Sequence, residues 1–263
     1  MKKTSPQPDN VLKIGGAVCQ RPGTVARLAD AWMEHGGSGR WVLVHGGGPQ
    51  LDQALRALGE RVEKVAGLRV TSPRAAKRVQ ETLDRIGAGL AHGLTCHGVP
   101  AVHVPATEGL LQAVPKALPD GRALGRVGTA TSFDARRLKK LVPSGHVAVV
   151  TPVGWDAAGP LNVNADEGAL AVATSLEAAK LVLCTDVAAV RGSTGDDLPF
   201  LVPAEVELLL RSGTAQGGMV PKLEASLEAL RTGVSEVRIG RLDCAWDGSG
   251  TRIYAAPEAE VMA

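Results

Sequence analysis

The chain has 263 residues, of which 44% are apolar, 21% are charged and 3% are aromatic. A chain of this length can bury a large core in one or two domains. The net charge of +2 and the scattered basic residues predict no nucleic-acid partner, and the lack of a long apolar run predicts no membrane partner. Four cysteines without paired spacing are typical of a reduced, cytoplasmic protein rather than of a disulfide framework or a zinc site.

Short apolar segments alternate with helical patterns along most of the chain. The predicted strands lie at 11–14, 41–44, 101–104, 147–150, 181–184 and 237–239. Apolar residues at helical spacing predict helices near 23–35, 50–60, 73–93, 134–142, 167–178, 203–211 and 219–232. This alternation predicts an α/β fold with a mainly parallel central sheet that is covered by helices on both faces.

The domain organisation is predicted from composition. Residues 1–10 are predicted to form a disordered leader, and residues 11–263 a single domain with two lobes, at about 11–170 and 171–256. Between 105 and 130, glycines and prolines interrupt the helical signal, which predicts loops or a small hairpin over the sheet edge.

The most informative motif is HGGGPQLD, which follows the strand predicted at 41–44. Gly46, Gly47 and Gly48 leave the main chain bare, and Pro49 suits the first turn of a helix. The N–H groups at such a helix start carry partial positive charge, which predicts a site for a carboxylate or a phosphate. A glycine-rich turn without a ligand is the alternative. His45 is predicted to be a packing or capping residue rather than a catalytic base, because a substrate carboxylate that is already ionised needs no base.

The first predicted strand ends in a lysine and two glycines. A lysine in a buried strand is costly unless its charge has a partner. We therefore expect Lys13 to face phosphate oxygens, with Gly15 and Gly16 supplying N–H groups. A lysine at a strand edge that reaches solvent is the alternative.

Two motifs in the middle of the chain carry polar groups suited to a carboxylate. In LNVNAD, Asn162, Asn164 and Asp166 share one face if the segment is extended. The amides could donate to a carboxylate while Asp166 orients a lysine, although Asp166 would also serve as a helix N-cap. In GLRVT, Arg69 offers a planar fork that matches a carboxylate, and an ordinary surface arginine is the alternative.

The C-terminal third adds a strand end and a second lysine. Asp186 follows the strand predicted at 181–184, where α/β proteins place ligand groups, and Lys222 follows two glycines at a helix start. Neither a Walker-type loop nor a GxGxxG motif occurs, which argues against an ordinary P-loop or dinucleotide fold. Two lysines, glycine turns and one carboxylate suit phosphoryl transfer, which depends mainly on positioning and charge neutralisation.

Taken in order, the motifs KIGGA, HGGGPQLD, GLRVT, LNVNAD, CTDV and GGMVPK resemble those of the acetylglutamate kinases, a branch of the amino acid kinase family. The resemblance spans about residues 11–254. It implies a three-layer αβα sandwich with a mainly parallel central sheet and two lobes. It also implies phosphorylation of the side-chain carboxylate of N-acetyl-L-glutamate, in arginine biosynthesis, by ATP with Mg²⁺ carried on the nucleotide.

The same resemblance implies roles for individual residues. Lys13 and Lys222 would stabilise the phosphoryl group in transit, and Asp166 would hold both lysines in place. The implied substrate-binding residues are Gly47, Gly48, Arg69, Asn162 and Asn164. The implied nucleotide- and phosphate-binding residues are Gly15, Gly16, Asp186, Val187, Ala188, Arg191, Thr214, Gln216 and Gly218. No dedicated metal-binding residues are expected.

Departures from the family pattern lead to further expectations. The leader is shorter than the N-terminal helix of arginine-inhibited hexameric members, so we expect a homodimer that is insensitive to arginine. A kinase of a carrier-bound aminoadipate or glutamate is one alternative, and Gly48 argues against it because those relatives tend to carry serine there. A non-catalytic amino-acid sensor is the other, and the presence of Lys13, Asp166 and Lys222 argues against that.

Overall fold

The computed structural model describes residues 9–35, 40–65, 67–118 and 120–254. Its strands are β1 (Asp9–Ile14), β2 (Arg40–His45), β3 (Lys64–Val65), β4 (Leu68–Arg69), β5 (Ala101–Val104), β6 (Leu111–Ala117), β7 (Ala123–Phe133), β8 (Val147–Val150), β9 (Val153–Asp156), β10 (Gly159–Val163), β11 (Lys180–Cys184), β12 (Val190–Arg191), β13 (Asp197–Leu198), β14 (Phe200–Leu201), β15 (Glu236–Gly240) and β16 (Thr251–Ile253). Its α-helices are α1 (Gly16–Cys19), α2 (Thr24–His35), α3 (Gly48–Ala57), α4 (Pro73–Cys96), α5 (Ala135–Leu141), α6 (Ala165–Leu176), α7 (Pro203–Arg211) and α8 (Met219–Arg231). Short 3₁₀ helices lie at Ala106–Glu108 and Leu242–Ala245.

Eight strands form the central sheet in the order β14-β16-β15-β11-β1-β2-β8-β5. The neighbouring pairs in this sheet are parallel except β15 and β16. Each predicted strand and each predicted helix is present, with ends that differ by a few residues. The prediction of a mainly parallel central sheet is therefore confirmed.

The sheet is buried on both faces because successive residues of its strands enter different cores. In β1, Val11 packs in a core that includes residues of α6, α7 and α8, whereas Leu12 and Ile14 pack in a core that includes residues of α2 and α4. Alternating side chains of a strand point to opposite faces, so helices cover the sheet on both sides. This arrangement is the expected three-layer αβα sandwich.

Beyond the central sheet, β6, β7, β9 and β10 form a closed four-stranded barrel. The sequence-based expectation of loops or a small hairpin at 105–130 is confirmed in part, because β6 and β7 pair antiparallel as a hairpin, but this hairpin is one part of the closed barrel. Its glycines obscure the strand pattern, yet the narrow barrel needs some of them. A Cβ at Gly154 would lie 2.4 Å from the Cβ of Ala113, and one at Gly128 would lie 2.8 Å from the Cβ of Leu161.

The first strand begins at Asp9, within the segment predicted to be a leader. The Arg40 guanidinium donates to both Asp9 carboxylate oxygens at 2.7 and 2.8 Å, which holds the polar start of β1 against β2. The rest of the predicted leader, 1–8, lies outside the described residues, and the two-lobe division remains a prediction. Among the residues that the structure describes, no helix is long and apolar enough to cross a membrane.

Candidate active site

Two glycine segments meet at the carboxyl ends of β1 and β2. Gly46 N donates a hydrogen bond of 2.8 Å to the carbonyl oxygen of Ile14, which ties the two strand ends together. A Cβ at Gly16 would lie 2.4 Å from Gly48 N and 2.8 Å from the Gly47 carbonyl carbon. Only glycine allows this backbone-to-backbone contact, so both segments present main-chain groups at one point.

Lys13, Asp166 and Lys222 form a buried charge cluster beside these glycines. Lys13 Nζ lies 2.7 Å from Asp166 Oδ1, and Lys222 Nζ lies 3.0 Å from Asp166 Oδ2. The three residues are only 5%, 3% and 8% exposed. The lysine of a buried strand thus has the partner that the sequence required.

The cluster fixes the ionisation of its carboxylate. Burial alone would raise the pKa of Asp166, but the charges of Lys13 and Lys222 outweigh it and hold this pKa below its ordinary value. Burial, followed by the nearby charge of Lys13, lowers the pKa of Lys222. One carboxylate therefore neutralises about half of the positive charge, and the remainder can attract an anion.

Asn164 and Asp166 do not lie on one extended strand, as the sequence had suggested. Strand β10 ends at Val163 and α6 begins at Ala165, with Asn164 as the N-cap. The Asn164 side-chain oxygen accepts a hydrogen bond of 3.0 Å from Asp166 N. Asp166 is therefore in the first helical turn rather than at the cap, and this turn directs its carboxylate to the two lysines.

A cavity of about 220 Å³ opens beside the charge cluster. Lys13, Gly16 and the five residues predicted to bind the substrate are all part of its lining. The lining residues are Lys13, Gly16, Gly46, Gly47, Gly48, Leu51, Gly67, Leu68, Arg69, Leu83, Val127, Pro152, Asn162, Val163, Asn164 and Ala165. The structure thus brings together motifs that are far apart in the sequence.

Arg69 is a buried cation in this lining, rather than an ordinary surface arginine. It forms an ion pair with Asp52, and its Nη2 donates to the carbonyl oxygen of Gly48 at 3.2 Å. Burial lowers its pKa. The sequence-based prediction did not include Asp52, although its position one helical turn after Gly48 could have indicated that it lies near the site.

Asn162 is linked to the Arg69 segment through Thr71. Its Nδ2 donates a hydrogen bond of 3.1 Å to Thr71 Oγ1, which donates at 2.7 Å to the Arg69 carbonyl oxygen. Thr71 is fully buried and was also missed, although it stands two residues after Arg69 in the quoted GLRVT motif.

Of the residues predicted to bind nucleotide, Gly16 is the one found in the lining of this cavity as the described residues define it. Gly15 packs against the end of β11, since a Cβ there would lie 3.7 Å from the Cys184 carbonyl oxygen. Asp186, Val187 and Ala188 follow that strand end, with Asp186 exposed.

The other predicted nucleotide residues lie on β12 and on the segment before α8. Arg191 is exposed on β12, and its Nε lies 3.6 Å from Asp197 Oδ1. Thr214 and Gln216 lie between α7 and α8, and Gly218 is the N-cap of α8. Gly218 reaches the charge cluster, because its carbonyl oxygen accepts from Lys222 Nζ at 3.3 Å.

His45 is fully buried, as expected for a packing residue. Burial lowers its pKa to about 4, so the ring is neutral at pH 7. Within the described ranges, no group of three or more histidine, cysteine, aspartate or glutamate side chains is placed to hold a metal ion.

The paired glycine segments and the lysine–aspartate–lysine cluster at the carboxyl ends of parallel strands form a site suited to an anion such as a phosphoryl group. The chain belongs to the amino acid kinase family, whose profile matches residues 10–241. It is 41% identical to the acetylglutamate kinase of Rubrobacter xylanophilus over 84% of this chain and 81% of that protein. It is 39% identical to the acetylglutamate kinase of Chloroflexus aurantiacus over 92% and 95%.

Solved structures give the same picture of the fold. Smu.665 from Streptococcus mutans superposes with a TM-score of 0.80 at 30% identity, covering 94% of this chain and 98% of that one. The carbamate kinase of Giardia lamblia bound to AMP-PNP gives a TM-score of 0.70 at 18% identity, over 96% and 100%, which supports the fold alone.

Proposed function

We propose that this chain is an acetylglutamate kinase, which transfers the γ-phosphoryl group of ATP to the side-chain carboxylate of N-acetyl-L-glutamate in arginine biosynthesis. The product is N-acetyl-L-glutamyl 5-phosphate. The observation that carries the proposal is the pair of lysines on one buried carboxylate, 2.7 and 3.0 Å away, beside a glycine-lined cavity.

The cavity is proposed to bind the acceptor. Its size suits a small dicarboxylate, and among the described residues Arg69 bonds to Asp52 and to Gly48 with two of its five N–H groups, so others can reach an acceptor carboxylate. We assign the N–H groups of Gly47 and Gly48 and the amides of Asn162 and Asn164 to the polar atoms of the acceptor. In this reading, Asn162 exchanges its bond with Thr71 for one with the substrate.

Lys13 and Lys222 are proposed to stabilise the phosphoryl group in transit. An oxygen of the acceptor carboxylate attacks the γ-phosphorus, the bond to the bridging oxygen breaks, and ADP leaves with that oxygen's electron pair. Charge is then spread over the three equatorial oxygens, where fixed cations stabilise the transition state. Asp166 keeps both ammonium groups in position, and the Gly16 N–H donates to the same phosphate.

The donor is proposed to be ATP, with Mg²⁺ bound to its phosphates, as is usual for this ion. We assign its binding to Gly15, Gly218 and the segments around them, namely Asp186, Val187, Ala188, Arg191, Thr214 and Gln216. Support comes from the position of Asp186, Val187 and Ala188 after the end of β11, which pairs with β1, and of Gly218 as the N-cap of α8. Mg²⁺ would supply additional neutralisation of phosphate charge.

An ADP-release assay tests the proposal directly. The protein is offered ATP and Mg²⁺ with N-acetylglutamate, glutamate or aminoadipate, and hydroxylamine traps any acyl phosphate. We expect turnover and a hydroxamate with N-acetylglutamate alone. Turnover with aminoadipate, or none with any free acceptor, would contradict the proposal and favour a carrier-bound substrate or a sensor.

Assembly and location complete the proposal. We propose a homodimer, and light scattering of the purified protein tests it: a dimer mass is expected, and a hexamer mass would contradict the proposal. We also propose a cytoplasmic location, because ATP is the phosphoryl donor and the four cysteines are free thiols.

A further inference from the structure

Two imidazole rings meet beneath helix α4 at Gly87. A Cβ at that position would lie 2.6 Å from His103 Nε2 and 2.8 Å from His45 Nε2. Real Cβ atoms do not approach this closely, so the missing side chain of Gly87 is what gives both rings their space.

The rings belong to a small polar network that joins four elements. His103 Nε2 lies 3.0 Å from Thr151 Oγ1 and 3.9 Å from Asp84 Oδ1. Asp84 in turn accepts from Ala106 N at 2.8 Å. His45 Nδ1 faces the Gly46 carbonyl oxygen at 3.4 Å, and its Nε2 has no hydrogen-bond partner in the described part of the chain. We call His45, Asp84, His103 and Thr151 the histidine cluster.

Three of the four cluster residues are chain neighbours of residues that line the cavity. His45 precedes Gly46, Asp84 follows Leu83, and Thr151 precedes Pro152. Helix α4 adds a direct contact, since a Cβ at Gly47 would lie 2.7 Å from Leu83 Cδ2 and 2.9 Å from Ile86 Cδ1. We call Gly46, Gly47, Leu83 and Pro152 the acceptor wall.

The charge cluster is built from other elements, because Lys13, Asp166 and Lys222 belong to β1, α6 and α8. A shift of the histidine cluster therefore acts first on the acceptor wall. A role for His45 as a base has no support, because the ring is fully buried and the acceptor carboxylate is already ionised at pH 7.

We propose that the histidine cluster positions the acceptor wall. The four residues of the histidine cluster would thereby set the affinity for the acceptor without contacting the phosphoryl group. This inference rests on the proposed function. The four residues of the histidine cluster are thus positioning residues, and their loss should change the KM for the acceptor more than kcat or the KM for ATP.

Two glycines of α4 provide a matched test. Gly87→Ala pushes a methyl group against both rings, whereas a Cβ at Gly89 meets no atom within 4 Å among the described residues. Both changes improve helix propensity equally. We expect Gly87→Ala to raise the KM for N-acetylglutamate roughly tenfold, with the KM for ATP and kcat within about twofold of wild type. Gly89→Ala should match wild type.

A second pair removes hydroxyl groups without adding volume. Thr151→Val deletes the partner of His103, whereas Thr82→Val deletes a buried hydroxyl of α4 that has no partner among the described residues. We expect Thr151→Val to raise the KM for N-acetylglutamate about threefold to tenfold, Thr151→Ser to restore it, and Thr82→Val to leave it unchanged.

The kinetic results distinguish a failure of this inference from a failure of the proposed function. Wild-type turnover with unchanged KM values in Gly87→Ala and Thr151→Val overturns this inference and leaves the proposed function standing. Equal changes in both KM values, or no rescue by Thr151→Ser, also overturn it. Absence of wild-type turnover overturns the proposed function and this inference with it. Melting temperatures identify any unfolded variant, in which case the other pair decides.

Discussion

At the level of single residues, Asp166 is the carboxylate that pairs with both Lys13 and Lys222 in the described part of the chain. Asp166→Asn keeps the shape of the side chain but leaves Lys13 and Lys222 facing each other without a counter-charge. We expect kcat to fall roughly 10²- to 10³-fold, because the cations that stabilise the transition state are no longer held in place. The coupled ADP-release assay at saturating substrates measures this fall.

Asp156→Asn is the matched control for that substitution. Asp156 also pairs closely with a cation, accepting from Arg126 at 2.7 and 2.9 Å, but it lies on the barrel strand β9. We expect it to lose some stability and to keep the wild-type kcat. A similar loss of kcat in both variants would contradict the role assigned to Asp166.

At the scale of elements, Gly125 fixes the barrel strand β7 against the segment after β4. Its φ is +72°, and a Cβ would lie 2.2 Å from the Thr71 carbonyl oxygen, which already accepts from Arg126 N at 2.6 Å. Gly121 shares the positive φ, but a Cβ there meets no atom within 4 Å in the described ranges. Comparing alanine substitutions at Gly121 and Gly125 therefore distinguishes the cost of backbone strain from the cost of losing a contact between elements.

We expect Gly121→Ala to reduce the free energy of unfolding by about 1 kcal/mol, the cost of a positive φ alone. Gly125→Ala should cost about 3 kcal/mol or more, since the contact between the segments must also open. It should raise the KM for the acceptor as well, because Thr71 holds Asn162. Urea denaturation measures the first effect and kinetics the second, and equal losses from both changes would contradict this account.

At the scale of the whole molecule, the buried His45 makes stability depend on pH. Burial lowers the pKa of His45 from 6.5 to about 4. Burial also lowers the pKa of His103, although the charge of Asp84 partly opposes that shift. Below about pH 6.5 the unfolded chain takes up protons that the folded protein does not. The contribution of the neutral His45 to stability is therefore fully present above about pH 6.5 and is lost as the pH falls towards 4.

For His45 alone, the free energy of unfolding should fall by about 2 kcal/mol between pH 7.5 and pH 5. Urea denaturation at the two pH values measures the difference in wild type and in His45→Gln, which should lose this part of it. His92→Gln, at an exposed histidine of α4, should keep the wild-type difference. A difference that is unchanged in His45→Gln would contradict the assignment.

The sequence alone predicted six of the eight strands of the central sheet, seven helices and the motifs that line the cavity, but not the short strands β14 and β16. It could do so because apolar periodicity and glycine turns are local signals, and because parallel strands place their carboxyl ends at one edge. The need of Lys13 for a charged partner also followed from the sequence, since a lysine in a buried strand is costly without one.

The closed barrel, the Asp52–Arg69 ion pair and the histidine cluster become visible only in the tertiary structure. Each of these joins segments that are distant in the chain, so its existence depends on strand order and on the register of packed elements. Local propensity carries no information on such contacts. Gly87 illustrates the reason, because only the neighbouring rings show why that helix position has no side chain.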